Sequence, residues 1–126
     1  MTGDLQPIVI WGATGQAVVV NEFAALIGLS ILALVDNDEE LTSPLEGVPV
    51  LHGAAALEHW LAQAGAQSMR AIVAVGGAQG GVRLELARSM QALGLEPIDA
   101  VHPAAYVATD ATWGAGLQVM AGAVVA

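Results

Sequence analysis

The chain has 126 residues, 56% of them hydrophobic, with three basic residues against twelve acidic ones, no cysteine and a net charge of -9. That length suits one domain with a single sizeable core and leaves no room for a separate substrate-binding half. The balance of charge excludes a phosphate-neutralising basic face, so nucleic acid is not an expected partner, and disulfide or thiolate chemistry is excluded outright.

No apolar run approaches the ~18 residues of a membrane span, and the start MTGDLQPIVI lacks the basic region and separate apolar core of a secretory leader. A cytoplasmic protein without a membrane partner is expected. Pro7 to Trp11 is a short apolar run rich in β-branched residues, the pattern of a strand buried on both faces of a parallel sheet. After GATGQ, Val18, Glu22, Ala25 and Leu29 fall at helical spacing with Val19, Phe23 and Leu26 beside them, Thr14 is placed to cap the first turn, and Gly28 ends the helix.

Ile31 to Asp36 reads as a second buried strand, closing in the acidic cluster DNDEE and the turn-forming TSPLEG, with a short strand VPVL after it. Leu57, Trp60, Leu61 and Ala64 form the stripe of a second helix that stops at Gly65. Ala71 to Gly76 is the next strand; GAQGG then opens a helix with Val82, Leu86, Met90 and Leu93 on its buried face, and Pro97 to Val101 closes the series. Strands alternating with helices imply βαβ units, right-handed crossovers and a Rossmann-like parallel sheet covered on both faces. The fold class is α/β.

Gly12 and Gly15 then stand in the first strand-to-helix turn, on the carboxyl edge where open α/β sheets take ligands. Gly12 permits a tight turn and Gly15 a close backbone approach, so that N–H groups from Gly12, Ala13, Thr14, Gly15 and Gln16 can face an anion. A phosphorylated small molecule is compatible with this acidic chain, because oriented backbone donors hold phosphate without cationic side chains. A plainer reading is that any short βα turn favours glycine. A second such turn, Gly76-Gly77, leaves a strand on the same edge and speaks for the ligand.

The motif is G-x-x-G, and Val18 occupies the place of a third small residue, so as a dinucleotide fingerprint it is incomplete. Asp36, about twenty residues on, stands where such folds hydrogen-bond a ribose hydroxyl; its alternative is a solvated strand-end carboxylate. Asn37 lies beside it. Arg83, one turn into the third helix, is a further anion candidate or a solvated arginine. No metal-ligand set is read from the sequence.

From Ala104 the period changes to six. Val107, Trp113, Val119 and Val125 recur with Ala105, Ala111, Leu117 and Ala123 two places before them, and Gly114, Gly116 and Gly122 fill turn positions. Hexapeptides of this kind mark a β-helix solenoid whose short strands form the sides of a triangular coil.

The order VIWGATGQAVVVNEFA, ALVDND, GVPVLHG, VAVGGAQGGVRLELA and VHPAAYVATDATWGAGLQVMAGAVVA resembles the amino-terminal part of the sugar acyltransferases related to sialic acid O-acetyltransferase and the bacillosamine-pathway N-acetyltransferase. The match spans the chain, and its most specific part is His102-Pro103 leading into the hexapeptides. The resemblance implies a Rossmann-like domain over residues 1–103 that binds a nucleotide sugar. It also implies the start of a left-handed β-helix over residues 104–126, whose full form binds acetyl-CoA and makes a homotrimer. The family commonly has a histidine and a lysine where this chain has Gln16 and Val18. Its catalytic histidine is expected beyond Ala126, so the acetyl-CoA site and acyl transfer are expected outside this chain, with no cofactor held by these residues. His52, His59 and His102 read as structural. Two alternatives stand beside this one: a stand-alone NAD(P)-binding module, and a scaffold that catalyses nothing.

Overall fold

The computed structural model describes residues 5–64, 68–74, 80–104, 106–107, 118–119 and 124–125. Five strands form one parallel sheet: β1 (Gln6–Trp11), β2 (Leu29–Asp36), β3 (Val50–His52), β4 (Arg70–Val73) and β5 (Glu96–Pro97), in the order β3-β2-β1-β4-β5. Pairing runs outward from β1, with Ile10 opposite Leu34 on one side and Ile72 on the other. One irregularity interrupts the β1–β2 ladder, where Ile8 faces Ile31 but Val9 faces Ala33. β1 is apolar from Pro7 to Trp11 because both its faces are covered: Ile8, Val9 and Ile10 are wholly buried, and Trp11 nearly so.

Alternation along the strands sorts the core into two layers. Ile8, Ile10, Leu34 and Ile72 pack with Ala17, Val20 and Phe23 of helix α1 (Gly15–Ala24). Val9, Trp11, Val35 and Ala71 pack with Leu57 of α2 (Ala54–Ala64) and Met90 of α3 (Gly80–Ala92). No helix joins β2 to β3; Leu45 of the intervening loop reaches the α1 layer instead. The expected doubly wound α/β domain is present.

Several local expectations need correction. The buried stripe of α1 is Ala17, Val20, Phe23 and Ala24, whereas Val18 and Leu26 are exposed. The exposed Asn21 and Glu22 lie on Val18's side of the helix and mark the face turned to solvent, while the small Ala17 allows the helix to sit close on the sheet. Thr14 flanks the helix in an extended conformation, but its side chain makes no capping hydrogen bond. A missing cap costs ~1 kcal/mol, while burying Phe23 and Val20 contributes ~1.5–3 kcal/mol each, so tertiary packing holds the helix. Leu29 opens β2 and does not extend the helical stripe, because a 3-10 turn at Ala25–Ile27 and the left-handed Gly28 (φ 80°) stop the helix first. Val82 is exposed, and the buried side of α3 begins further along, with Leu86 and Met90.

Pro97 to Val101 is not one strand. β5 ends at Pro97, and Ala100–Val101 forms β6, which pairs in parallel with β8 (Gln118–Val119). β7 (Tyr106–Val107) pairs likewise with β9 (Val124–Val125). Ala100 stands opposite Gln118 and Tyr106 opposite Val124, eighteen residues on in both cases. The other repeat positions lie outside the described residues, as do Gly76 and Gly77 and the side chain of Arg83.

Candidate functional site at the carboxyl edge

The strand order reverses at β1, whose neighbours β2 and β4 carry the chain to opposite sides, and the crevice beyond the carboxyl ends of such strands is where doubly wound sheets bind ligands. Among the described residues three connections meet there: the turn 12–14 after β1, the loop after β2 and the turn at Gly53 after β3.

Gly12 is set by the protein itself. Its φ of 126° lies in the left-handed region, its N–H donates to the Val35 carbonyl at 2.6 Å, and a Cβ there would stand 2.5 Å from the carbonyl oxygen of Ala74. Ala74 in turn donates its N–H to the Trp11 carbonyl at 2.8 Å. Glycine is needed at this position because β1 and β4 close on each other just past the sheet. Gly15 is different: a Cβ there meets nothing within 4 Å among the described residues, so toward them the first turn of α1 faces open space.

Asp36 ends β2 with both carboxylate oxygens engaged. Oδ2 accepts the N–H of Ala13 at 3.2 Å, and Oδ1 accepts that of Asp38 at 2.9 Å. Its backbone carbonyl accepts the N–H of Gly53 at 3.2 Å. Asp38 repeats the device, accepting the N–H of Glu40 at 3.0 Å, so the acidic loop is folded by its own carboxylates. Asn37 is exposed, and its Oδ1 lies 3.6 Å from where a Gly53 Cβ would be.

Of the five backbone donors expected to face an anion, those of Gly12 and Ala13 are therefore spent on Val35 and Asp36. Among the described residues no partner takes the N–H of Thr14 or Gly15; Gln16 lies next in the helix, partly buried and with a partner of its own. No described cationic side chain stands at this edge: Arg70 begins β4 at the opposite end, and Arg88 is on the exposed side of α3. Sequence reasoning passed over Ala74 and Gly53. Gly53 carried a signal, since LHGAAA is a strand-to-helix glycine turn like the first; Ala74 carried none.

Of the histidines, His52 stands at this edge, opposite Asp36 in the β2–β3 ladder. His52 and His59 are exposed, and His102 sets its ring at a tilt of 59° against Phe23, centroids 5.1 Å apart, while its Nδ1 accepts the N–H of Ala104. Among the described residues no group of acids and histidines is arranged to hold a metal ion.

A parallel sheet in this order, with a glycine turn and a strand-end aspartate meeting at its switch point, defines a Rossmann-like domain. The PglD N-terminal domain family matches residues 7–90, and the chain belongs to that family. No curated protein matches the sequence. Among solved structures, a mutant of perosamine N-acetyltransferase from Caulobacter crescentus, in complex with CoA and GDP-perosamine, is 34% identical with a TM-score of 0.77, the match covering 94% of this chain and 53% of that one. The acetyltransferase domain of PglB from Neisseria gonorrhoeae, in complex with acetyl coenzyme A, is 28% identical with a TM-score of 0.69, covering 95% and 55%. The chain thus spans about half the length of these relatives. A Rex-family repressor, RSP, solved in complex with β-NADH, is 16% identical with a TM-score of 0.53 over 97% of this chain and 54% of that one, a likeness of fold alone.

Proposed function

We propose that this chain is the nucleotide-sugar-binding part of an acetyl-CoA-dependent sugar N- or O-acetyltransferase. The observation that carries the proposal is the carboxyl edge itself: a glycine turn pinned by Val35, Ala74 and Asp36 presents Thr14 and Gly15 to open space at the switch point. Support also comes from relatives bound to GDP-perosamine and to coenzyme A. The diphosphate would lie on the backbone donors of Thr14 and Gly15, with Gln16, Gly76, Gly77 and Arg83 as further candidates and Asp36 and Asn37 toward the nucleoside. Neutral donors suit a chain with so few cations, since a helix N-terminus attracts an anion through its N–H groups and dipole.

We divide the chain into this domain, residues 1–103, and the start of a β-helix, residues 104–126. The eighteen-residue offset of both outer strand pairs supports one coil of three hexapeptides. Acyl transfer, its histidine base and the acetyl-CoA site would belong to the other half of such an enzyme's length, and assembly would be a cytoplasmic homotrimer through the β-helix.

The test is thermal. A GDP- or UDP-linked amino sugar is expected to raise the melting temperature, with about 2.7 kcal/mol of added stability at a hundred times its dissociation constant, while NAD produces no shift. Equal shifts from NAD and from every sugar nucleotide would overturn the proposal.

A further inference from the structure

We propose that Asp36 is a positioning residue: its carboxylate ties the glycine turn after β1 to the acidic loop after β2, and so aims the donors at Thr14 and Gly15 from the neighbouring strand. The functional half of this inference rests on the proposed nucleotide site, and the structural half does not.

Asp36 touches three connections at once. Oδ2 takes the N–H of Ala13, the residue between Gly12 and Thr14; Oδ1 takes that of Asp38; and the main-chain carbonyl takes that of Gly53, which enters α2. Gly12 is already anchored to Val35, so the bond to Ala13 is the second point of attachment of the turn. Two anchors on successive residues fix the plane of the peptide between them, which leaves only the φ and ψ of Ala13 to set the direction of the Thr14 N–H. Charge assistance makes a carboxylate the fitting acceptor, since N–H bonds to an ionised oxygen are roughly twice as strong as neutral ones. A neutral side chain of the same shape offers one oxygen acceptor and cannot serve Ala13 and Asp38 equally.

A direct role, with the carboxylate accepting from ribose hydroxyls, makes different demands. If Asp36 acts only on the ribose, its removal costs nothing against a nucleotide that lacks those hydroxyls. If it positions the turn, removal costs the same with or without them.

The experiment combines amide hydrogen exchange without ligand and binding of GDP and UDP with their 2′,3′-dideoxy forms, in the wild type, Asp36→Ala and Asp36→Asn. In D36A the amides of Ala13 and Asp38 are expected to exchange at least about tenfold faster, the size of a lost hydrogen bond to a charged group, with Val9 and Ile10 unchanged. D36N is expected to release one of the two amides, and it stands in for D36A should the alanine variant not fold. The nucleotide that binds the wild type is expected to weaken about tenfold in D36A, by the same factor for its dideoxy form. Unchanged exchange at Ala13 in both variants would overturn the positioning role. A loss confined to the ribose-bearing nucleotides would overturn it in favour of direct contact. If neither nucleotide binds the wild type while the Ala13 and Asp38 amides are released as expected, the nucleotide site fails and the structural tie stands.

Discussion

The two ends of the parallel sheet are built on opposite plans. At the amino end, long polar side chains close the strand ends on one another: Gln6 Nε2 donates to the carbonyls of Pro7 and Ser68, and Arg70 Nη2 donates to the Pro97 carbonyl at 2.6 Å. At the carboxyl end the turns are tied by a short carboxylate and by main chain, and the tying stops at Ala13, leaving the next two residues turned outward. The first plan satisfies carbonyls and presents little; the second holds a turn rigid up to the point where donors are offered. A rigid base with open donors is what preorganised recognition of an anion requires, because the ordering cost is met in folding and not in binding.

Substitution at the two glycines sharpens this contrast most. Gly12→Ala is expected to lose on the order of 3 kcal/mol or more of stability, because a side chain there both occupies a left-handed φ and meets the Ala74 carbonyl at 2.5 Å. Chemical denaturation monitored through tryptophan fluorescence measures it, and a loss below about 1 kcal/mol would mean that β1 and β4 do not close as described.

At the amino end, Arg70→Met keeps the stem and removes the bond to Pro97. The expected loss is about 1 kcal/mol, or roughly 4 °C in melting temperature, since the charged bond is worth somewhat more but the buried Nε of Arg70 has no partner among the described residues and its removal offsets part of that. Nucleotide affinity should not change, the two ends being separated by the length of the strands. An affinity loss equal to that of a carboxyl-edge variant would break the division of labour.

Gly15→Ala has the smallest effect on stability and the most informative sign. Alanine is the better helix former, and its Cβ meets nothing, so stability should rise by about 0.5 kcal/mol. Binding of a nucleotide diphosphate, followed by calorimetry, should nevertheless weaken about tenfold, equivalent to about 1.4 kcal/mol, because the new methyl group stands where the anion approaches the first turn. A variant that is more stable and binds as well as the wild type would remove Gly15 from the site.

Much of this fold was legible in the chain. Buried strands announce themselves as unbroken β-branched runs and glycine marks the turns; these are properties of one segment at a time. The strand-end Asp36 was also legible as a candidate, from its place alone. What it holds was not, since Ala13 and Asp38 reach it only once β2 lies beside β1.

The same limit explains the errors. Within the run AVVV no side is polar, so the choice of Ala17 and Val20 over Val18 rests on Asn21 and Glu22 beyond the run and on the sheet the helix packs on. Pro97 to Val101 reads as one strand until its last two residues find Gln118 and Val119. Pattern and composition by themselves determined an α/β domain with a glycine turn at its switch point. Only the tertiary structure decided which glycine is obligatory and which donors remain open, because both depend on Val35, Asp36 and Ala74, residues distant in sequence that strand order alone brings to Gly12 and Ala13.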